Sequence, residues 1–274
     1  MKKNIIIIGK KGFISSNLFL NLRYKQNLKI FDYQKFLNLK ESYIKKFDYV
    51  INCSINKEYI KNKYSQANDF NFMIAKKIES LTTKMIFLSS RKVYKNKYDI
   101  KENDSLVPKC NYSKNKLISE NLLKKTLNKK VLILRISNLI GPHITNKKKL
   151  HKTFIDIFFE NIKKGIILKN DQCYKDFLSI NKFCQIINEL IKIGANGTYN
   201  VSIGQKIYLK EIIEWLNYYN KKKYIYVKLS KSHNNDNFTL NNRKLMKKIS
   251  VINEIDNLKN DCMIISKNFF KNKK

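Results

Sequence analysis

Tyr112 and Lys116 stand four residues apart in the segment YSKNK, and Ser90 closes the apolar run KMIFLSS. Four residues make about one helical turn, so a helix over this segment puts phenol and ammonium on the same face. An ammonium beside a phenol favours the phenolate and lowers its pKa. The tyrosine can then exchange a proton with a carbonyl or an alcohol. A serine hydroxyl on the same oxygen steadies its developing charge. The set predicts oxidation or reduction at a carbon bearing oxygen, with Ser90, Tyr112 and Lys116 as the catalytic residues. Tyrosine and lysine are abundant, and YIKKF and YNKKK are similar strings. The strand-end serine and a cofactor loop are what lift Tyr112 and Lys116 above that background.

Such chemistry needs a hydride carrier, and the first residues offer a place for one. In NIIIIGKKGFISSNLF the continuous β-branched run ending at Gly9 predicts a buried parallel strand. The apolar spacing from Phe13 to Leu22 predicts a helix after it. Gly9 allows a tight turn, and Gly12 lets the backbone approach a pyrophosphate. The phosphate charge would meet the N–H groups where Phe13 and Ile14 open the helix. Ser15 holds the third place of this glycine fingerprint and is small enough for close helix packing. Asp32 ends the next strand, in LKIFDY, where it can accept from an adenosine ribose and favour NAD. Lys10, Lys11 and Lys35 equally suit a 2′-phosphate. The expected cofactor is NAD or NADP, held by Gly9, Gly12, Phe13, Ile14, Asp32, Ser89, Tyr112 and Lys116.

The elements that must position these residues alternate. FDYVINCS, KMIFLSS and KVLILRISN read as strands, with helices over SQANDFNFMIAKKIESL and YSKNKLISENLLKKTLN between them. That order predicts an α/β fold, a doubly wound (Rossmann-type) parallel sheet with a smaller C-terminal substrate lobe. Residues 1–146 are expected to form the dinucleotide-binding domain, with an interleaved contribution from about 170–205. Residues 147–274 are expected to form mainly the substrate-binding lobe. There FIDIFFENIKKGI, FCQIINELIKIG and LKEIIEWLNYY read as helices and TYNVSI as a strand, while the tail after Ile249 shows no clear element.

Composition narrows the classes. A hydrophobic fraction of 43% suits a globular chain. No apolar stretch is long enough to span a bilayer, and the four-isoleucine run near the start is too short for a signal-peptide core, so a cytoplasmic protein without membrane insertion is expected. Cys53, Cys110, Cys173, Cys184 and Cys262 are scattered, which fits neither a disulfide framework nor a zinc site. His143 follows Gly-Pro in a loop, and His151 and His233 are read as solvent-facing, so no metal is expected. The formal net charge of +35 comes from lysines spread along the whole chain, without a basic block interleaved with aromatics. It is read as a solvated surface attractive to phosphate-bearing ligands, and not as a nucleic-acid interface.

The motifs, taken in order, resemble the extended short-chain dehydrogenase/reductases, in the NAD-dependent epimerase/dehydratase branch that modifies nucleotide sugars. GKKGFIS resembles the glycine fingerprint, SSRKVY the serine motif with Ser90 three before Val93, and YSKNK the Tyr-x-x-x-Lys pair. RISNLIGP, CYKDFLSINKF, GTYNVSIGQKIYLKEII and NFTLNNRKL resemble later segments, so the resemblance runs over roughly residues 4–248. It implies that Lys116 holds the nicotinamide ribose and that Asn138, Lys175 and Arg243 bind the substrate near its phosphates, with Phe177 nearby. Three positions depart from the pattern. Ser15 replaces a glycine, Lys95 stands where glycine often follows the Val-Tyr pair, and Asn181 stands where aspartate is common.

The resemblance also bears on the reaction. Dehydratases of this branch carry an Asp-Glu pair after the catalytic hydroxyl residue, and here Arg91 and Lys92 take those places. This argues against water elimination. The expected activity is NAD(P)H-dependent reduction of a keto group on a nucleotide-diphosphate sugar, of the 4-keto-6-deoxy kind, in supplying precursors for a surface polysaccharide. An epimerase that retains its cofactor, and a nucleotide-binding homologue without turnover, stay open. The family's habit of pairing through two helices implies a homodimer, with residues 68–80 and 113–128 as the paired face.

Overall fold

Four consecutive isoleucines, Ile5 to Ile8, are wholly buried, so the first strand has neighbours on both faces. In the computed structural model, described over residues 1–142, 154–169, 172–221, 225–228, 236–251 and 254–271, this strand lies near one side of a parallel sheet. The sheet is built from β1 (Asn4–Ile8), β2 (Asn27–Phe31), β3 (Tyr49–Asn52), β4 (Lys84–Ser90), β5 (Val131–Ile136) and β10 (Gly197–Val201). Its order is β2-β1-β3-β4-β5-β10, and every pairing is parallel. The chain leaves β1 for β2 on one side and returns to β3 on the other. The gap between β1 and β3 is therefore the topological switch point, where open α/β sheets bind their ligands beyond the strands' carboxyl ends.

Side-chain alternation divides the core in two. On one face Ile5, Ile7, Ile86, Leu132 and Leu134 pack with α1 (Phe13–Leu22) and α8 (Ile180–Lys192). On the other, Ile6, Ile8, Met85, Phe87 and Ile133 meet Ile74 and Ile78 of α5 (Phe70–Ile78) and Leu123 and Leu127 of α6 (Asn111–Leu127). Short helices α2 (Tyr33–Leu37) and α3 (Glu41–Ile44) lie against α5, and α4 (Lys57–Lys61) against α6.

The second lobe has its own core around Ile140, Phe158, Phe177, Ile207, Ile212 and Leu258. Among the described residues it holds three short ladders: β6 (Asn138–Ile140) with β9 (Phe177–Ser179), β8 (Tyr174–Lys175) with β11 (Ile207–Tyr208), and β7 (Ile166–Lys169) with β12 (Ile225–Lys228). Its helices are α7 (Phe154–Lys163), α9 (Leu209–Asn217) and α11 (Ile255–Lys271), while α10 (Arg243–Met246) lies against β10. The tail that shows no clear element in the sequence is thus largely helix. Ile255, Leu258, Cys262, Ile265 and Phe269 recur at helical spacing and pack in the lobe core. The buried polar residues Asp261 and Ser266 flank this stripe and dilute its apolar signal in the sequence. Asp261 has a partner set that accounts for its place: it accepts from Ser179 Oγ at 2.6 Å and from Asn181 Nδ2 at 3.3 Å at the start of α8. Asn181, where an aspartate is common, therefore meets a carboxylate brought from the tail.

Candidate active site

Gly9 has φ of +113°, and an added Cβ would meet the Cys53 carbonyl carbon and the Ser54 nitrogen, each at 3.1 Å. Only glycine suits this place at the switch point. A Cβ at Gly12 would press on Ser15 Oγ at 3.2 Å, so the close turn favours glycine here as well. Ser15 does more than replace a small residue. Its Oγ accepts from the Gly12 N–H at 3.0 Å and donates to the Gly12 carbonyl at 3.1 Å. The Gly12 N–H is therefore taken by Ser15 inside the turn, beside the opening of α1 at Phe13 and Ile14. The Gly9 N–H donates to Phe31 O at 2.8 Å, bringing the end of β2 and Asp32 beside the loop. Asp32 is exposed and caps α2 by accepting from the Lys35 N–H at 2.8 Å.

At the end of β4 the three catalytic candidates converge. The Ser90 hydroxyl lies close enough to the Tyr112 phenol to favour its ionised form, and Ser90 Oγ accepts from the Lys92 N–H at 3.3 Å. The turn entering α6 uses the same device as α1. Ser113 Oγ accepts from the Cys110 N–H at 3.1 Å and donates to the Cys110 carbonyl at 2.9 Å, fixing the helix start that carries Tyr112. One turn on, the Lys116 ammonium donates to Leu88 O at 2.8 Å and lies 5.8 Å from the centre of the Tyr112 ring. Phe87 and Tyr59 close around it, at 4.7 and 5.8 Å from ring centre to nitrogen. Burial lowers Lys116 to about 8, with Asp69, Glu120 and Cys53 pulling the other way. The expectation that the ammonium lowers the phenol is not met. Burial pushes Tyr112 up to about 12 against the Ser90 hydroxyl, which lowers it.

Ser89 turns elsewhere. Side chains alternate along a strand, and its buried hydroxyl donates to Glu120 Oε1 at 2.5 Å on the α6 face. Glu120 is 0% exposed and is gripped by Arg135, Nη2 to Oε2 at 2.6 Å and Nε to Oε1 at 3.0 Å. Arg135 also donates to Tyr94 Oη at 2.7 Å, and Tyr94 Oη to Asn200 Oδ1 at 2.8 Å. This buried chain ties α6, β5 and β10 together beneath the reacting residues. Sequence reading misses it because its members lie on different elements and form no local pattern.

The substrate-binding candidates sit on the lobe side. Asn138 is half-buried, and its amide donates to Asp176 O at 3.1 Å. Phe177 is buried. Lys175 pairs with Asp236 at 2.9 Å, and Asp236 also accepts from Asn96 Nδ2 at 2.5 Å and faces Arg91 Nη2 at 3.7 Å. Burial would raise Asp236, but the Lys175 hydrogen bond and charge, with Arg91, hold it below the usual carboxylate range. Arg243 is exposed at the start of α10. Asp176 joins these segments: its carboxylate accepts from the N–H groups of Leu240, Ile203 and Gly204 at 2.9, 3.2 and 3.2 Å. Burial still raises it to about 7. Arg91 stacks on Phe238 at 3.9 Å and the Lys92 ammonium lies 5.9 Å from the Tyr112 ring centre, so no carboxylate follows Ser90. His143, His151 and His233 lie outside the described residues.

A glycine turn at the switch point and a serine–tyrosine pair over a buried lysine at the same sheet edge are the features a family match must explain. The model of the NAD dependent epimerase/dehydratase family matches residues 5–202, which takes in all of them. The chain belongs to this family, whose members act on nucleotide sugars. Among curated proteins it is 29% identical over 181 residues to the dTDP-4-dehydro-6-deoxyglucose reductase of Escherichia coli, covering 62% of this chain and 55% of the relative. The chain thus spans about half the length of that relative. Among solved structures, the UDP-N-acetylglucosamine 4-epimerase of Methanobrevibacter ruminantium superposes with a TM-score of 0.81 at 20% identity, covering 99% of this chain and 100% of the other. RMD of Pseudomonas aeruginosa, complexed with NADPH, gives 0.77 at 16% identity over 99% and 100% of the two chains. WbmG of Bordetella bronchiseptica, complexed with NAD, gives 0.77 at 18% over 100% and 95%. At these identities the structures speak for the fold. The family match supports an NAD(P)-dependent oxidoreductase or epimerase.

Proposed function

We propose that the protein reduces a keto group on a nucleotide-diphosphate sugar, of the 4-keto-6-deoxy kind, using NADH or NADPH. The observation that carries this reading is the convergence of Ser90 and Tyr112 at the end of β4, with the Lys116 ammonium 5.8 Å from the centre of the phenol ring. Reduction needs a proton donor at the new alkoxide, and a protonated phenol can supply it throughout the physiological range. An epimerase cycle would start by drawing a proton from a hydroxyl, which asks for the phenolate. The kinship to the Escherichia coli reductase supports the same choice.

The tight Gly9–Gly12 turn, which has no room for side chains at either glycine, would let a pyrophosphate approach the backbone, with Phe13, Ile14 and Asp32 bordering it. The bound dinucleotide would supply the hydride. Ser90 would hold the substrate carbonyl oxygen, Tyr112 would give it a proton, and Lys116 would orient the nicotinamide ribose and keep positive charge beneath Tyr112. Asn138, Lys175 and Arg243 would take the substrate diphosphate, Lys175 exchanging Asp236 for a phosphate oxygen. On this reading residues 1–146, with about 170–205, would form the cofactor side, and 147–274 mainly the substrate side. A homodimer would pair the α5 and α6 faces, where Met73 and Ile118 are exposed. The activity would serve polysaccharide precursor supply.

The test is a panel of keto-sugar nucleotides with added NADH or NADPH. Consumption of reduced cofactor in step with product supports the reading. Interconversion of sugar nucleotides without consumption overturns it in favour of an epimerase, and cofactor binding without turnover in favour of a binding homologue.

A further inference from the structure

Among the described residues, few buried side-chain atoms lack a hydrogen-bond partner, and one of them is the Ser137 hydroxyl. Ser137 is 8% exposed. It is the first residue beyond β5. In the ladder between β4 and β5, Ile136 stands opposite Ser90, so Ser137 follows directly at the level of the catalytic serine. On its other side the Ser137 N–H donates to Val201 O at 3.0 Å, at the end of β10. The hydroxyl therefore lies at the carboxyl edge of the sheet, where β4, β5 and β10 finish. This is the edge that carries the glycine turn after β1 and Asp32 after β2.

We propose that the Ser137 hydroxyl is a positioning group for the nicotinamide carboxamide. The inference rests on the cofactor reading above. A dinucleotide with its adenosine at the end of β2 and its pyrophosphate at the end of β1 runs along the sheet order toward β4 and β5. The carbon that carries the hydride must meet the substrate carbon beside Ser90 and Tyr112. The ring would then lie at the carboxyl end of β4, and Ser137, one residue past the partner of Ser90 on β5, would be within reach of its carboxamide. A carboxamide offers both N–H donors and a carbonyl acceptor, and a serine hydroxyl can donate and accept. A buried hydroxyl without a partner is unfavourable until a ligand supplies one. The pairing fixes which way the ring faces, and so which hydrogen points at the substrate.

The experiment compares two probes by calorimetry on the whole chain. NAD(P)H carries the carboxamide, and ADP-ribose has the same adenosine, pyrophosphate and second ribose without the ring. Ser137→Ala is expected to weaken NAD(P)H roughly five- to ten-fold, the worth of one neutral hydrogen bond, and to leave ADP-ribose unchanged. Ser137→Thr, which keeps the hydroxyl, is expected to restore NAD(P)H binding, and the thermal midpoint of apo Ser137→Ala is expected to stay at or above wild type. Equal affinity of wild type and Ser137→Ala for NAD(P)H would overturn the inference, as would equal weakening of both probes. If the wild type binds neither probe, the cofactor reading itself fails, and this inference with it.

Discussion

Lys116 reaches beneath Tyr112: its ammonium lies 5.8 Å from the centre of the phenol ring and donates to the Leu88 carbonyl at 2.8 Å. The ammonium is thus held inside the protein, at a site whose pKa of about 8 is set first by burial. Its charge is complete below that value and is lost as pH rises through it. Turnover is expected to fall on the alkaline side near pH 8, with Tyr112 still protonated there. Stability runs the other way. Between about 8 and 10.5 the unfolded chain binds more protons than the folded one at this group, so its contribution to stability rises with pH across that window. Lys116→Met buries no charge. It is expected to melt a few degrees above wild type at pH 7, to lose that margin by pH 10, and to be inactive. Thermal melts at the two pH values together with an activity assay check this.

The two adjacent serines of the strand end should part company on mutation. Ser89 serves Glu120 and Arg135, while Ser90 serves Tyr112. Ser89→Ala is expected to cost about 1 kcal/mol of stability and to leave NAD(P)H affinity within a factor of about two. Ser90→Ala is expected to leave stability near wild type and lower kcat by about 10²–10³. Removing the buried anion with Glu120→Ala, which strands the Arg135 guanidinium, is expected to cost about 3–5 kcal/mol. Urea titrations and cofactor binding separate these outcomes.

Asp261 ties the tail helix to the start of α8, and burial raises it to about 6 despite hydrogen bonds from Ser179 and Asn181. A carboxyl raised on folding binds more protons in the folded state, so its contribution to stability falls as pH climbs from about 4 to about 6. Asp261→Asn keeps an acceptor for Asn181 and can donate to Ser179 Oγ. It is expected to match wild type near pH 4 and exceed it at pH 8 by on the order of 2 kcal/mol. Denaturant titrations at both pH values measure the difference.

What the sequence discloses, it discloses through short-range pattern. NIIIIG announces β1 because a run buried on both faces is apolar without interruption. YSKNK announces a proton-transfer pair because one turn of helix brings its ends together. α11 stays hidden because Asp261 and Ser266 occupy its inner face, each satisfied by a partner more than forty residues away. The Glu120–Arg135 pair, the Asp176 junction and Ser137 are equally silent, since each is defined by where strands end in space. Local pattern misleads at Lys175, whose neighbour Asp236 arrives from a distant segment, and at Tyr112, where burial outweighs the effect of Ser90.

The central claim is that Tyr112 delivers the proton in a reduction driven by NAD(P)H. The direct measurement is the loss of reduced-cofactor absorbance on mixing keto-sugar nucleotide with wild type and with Tyr112→Phe, each first shown to bind NAD(P)H. The account predicts one cofactor oxidised per alcohol formed by wild type, and a fall of roughly 10²–10⁴-fold in rate for Tyr112→Phe at unchanged cofactor affinity. A Tyr112→Phe rate equal to wild type, or sugar product formed with no cofactor oxidised, would contradict it.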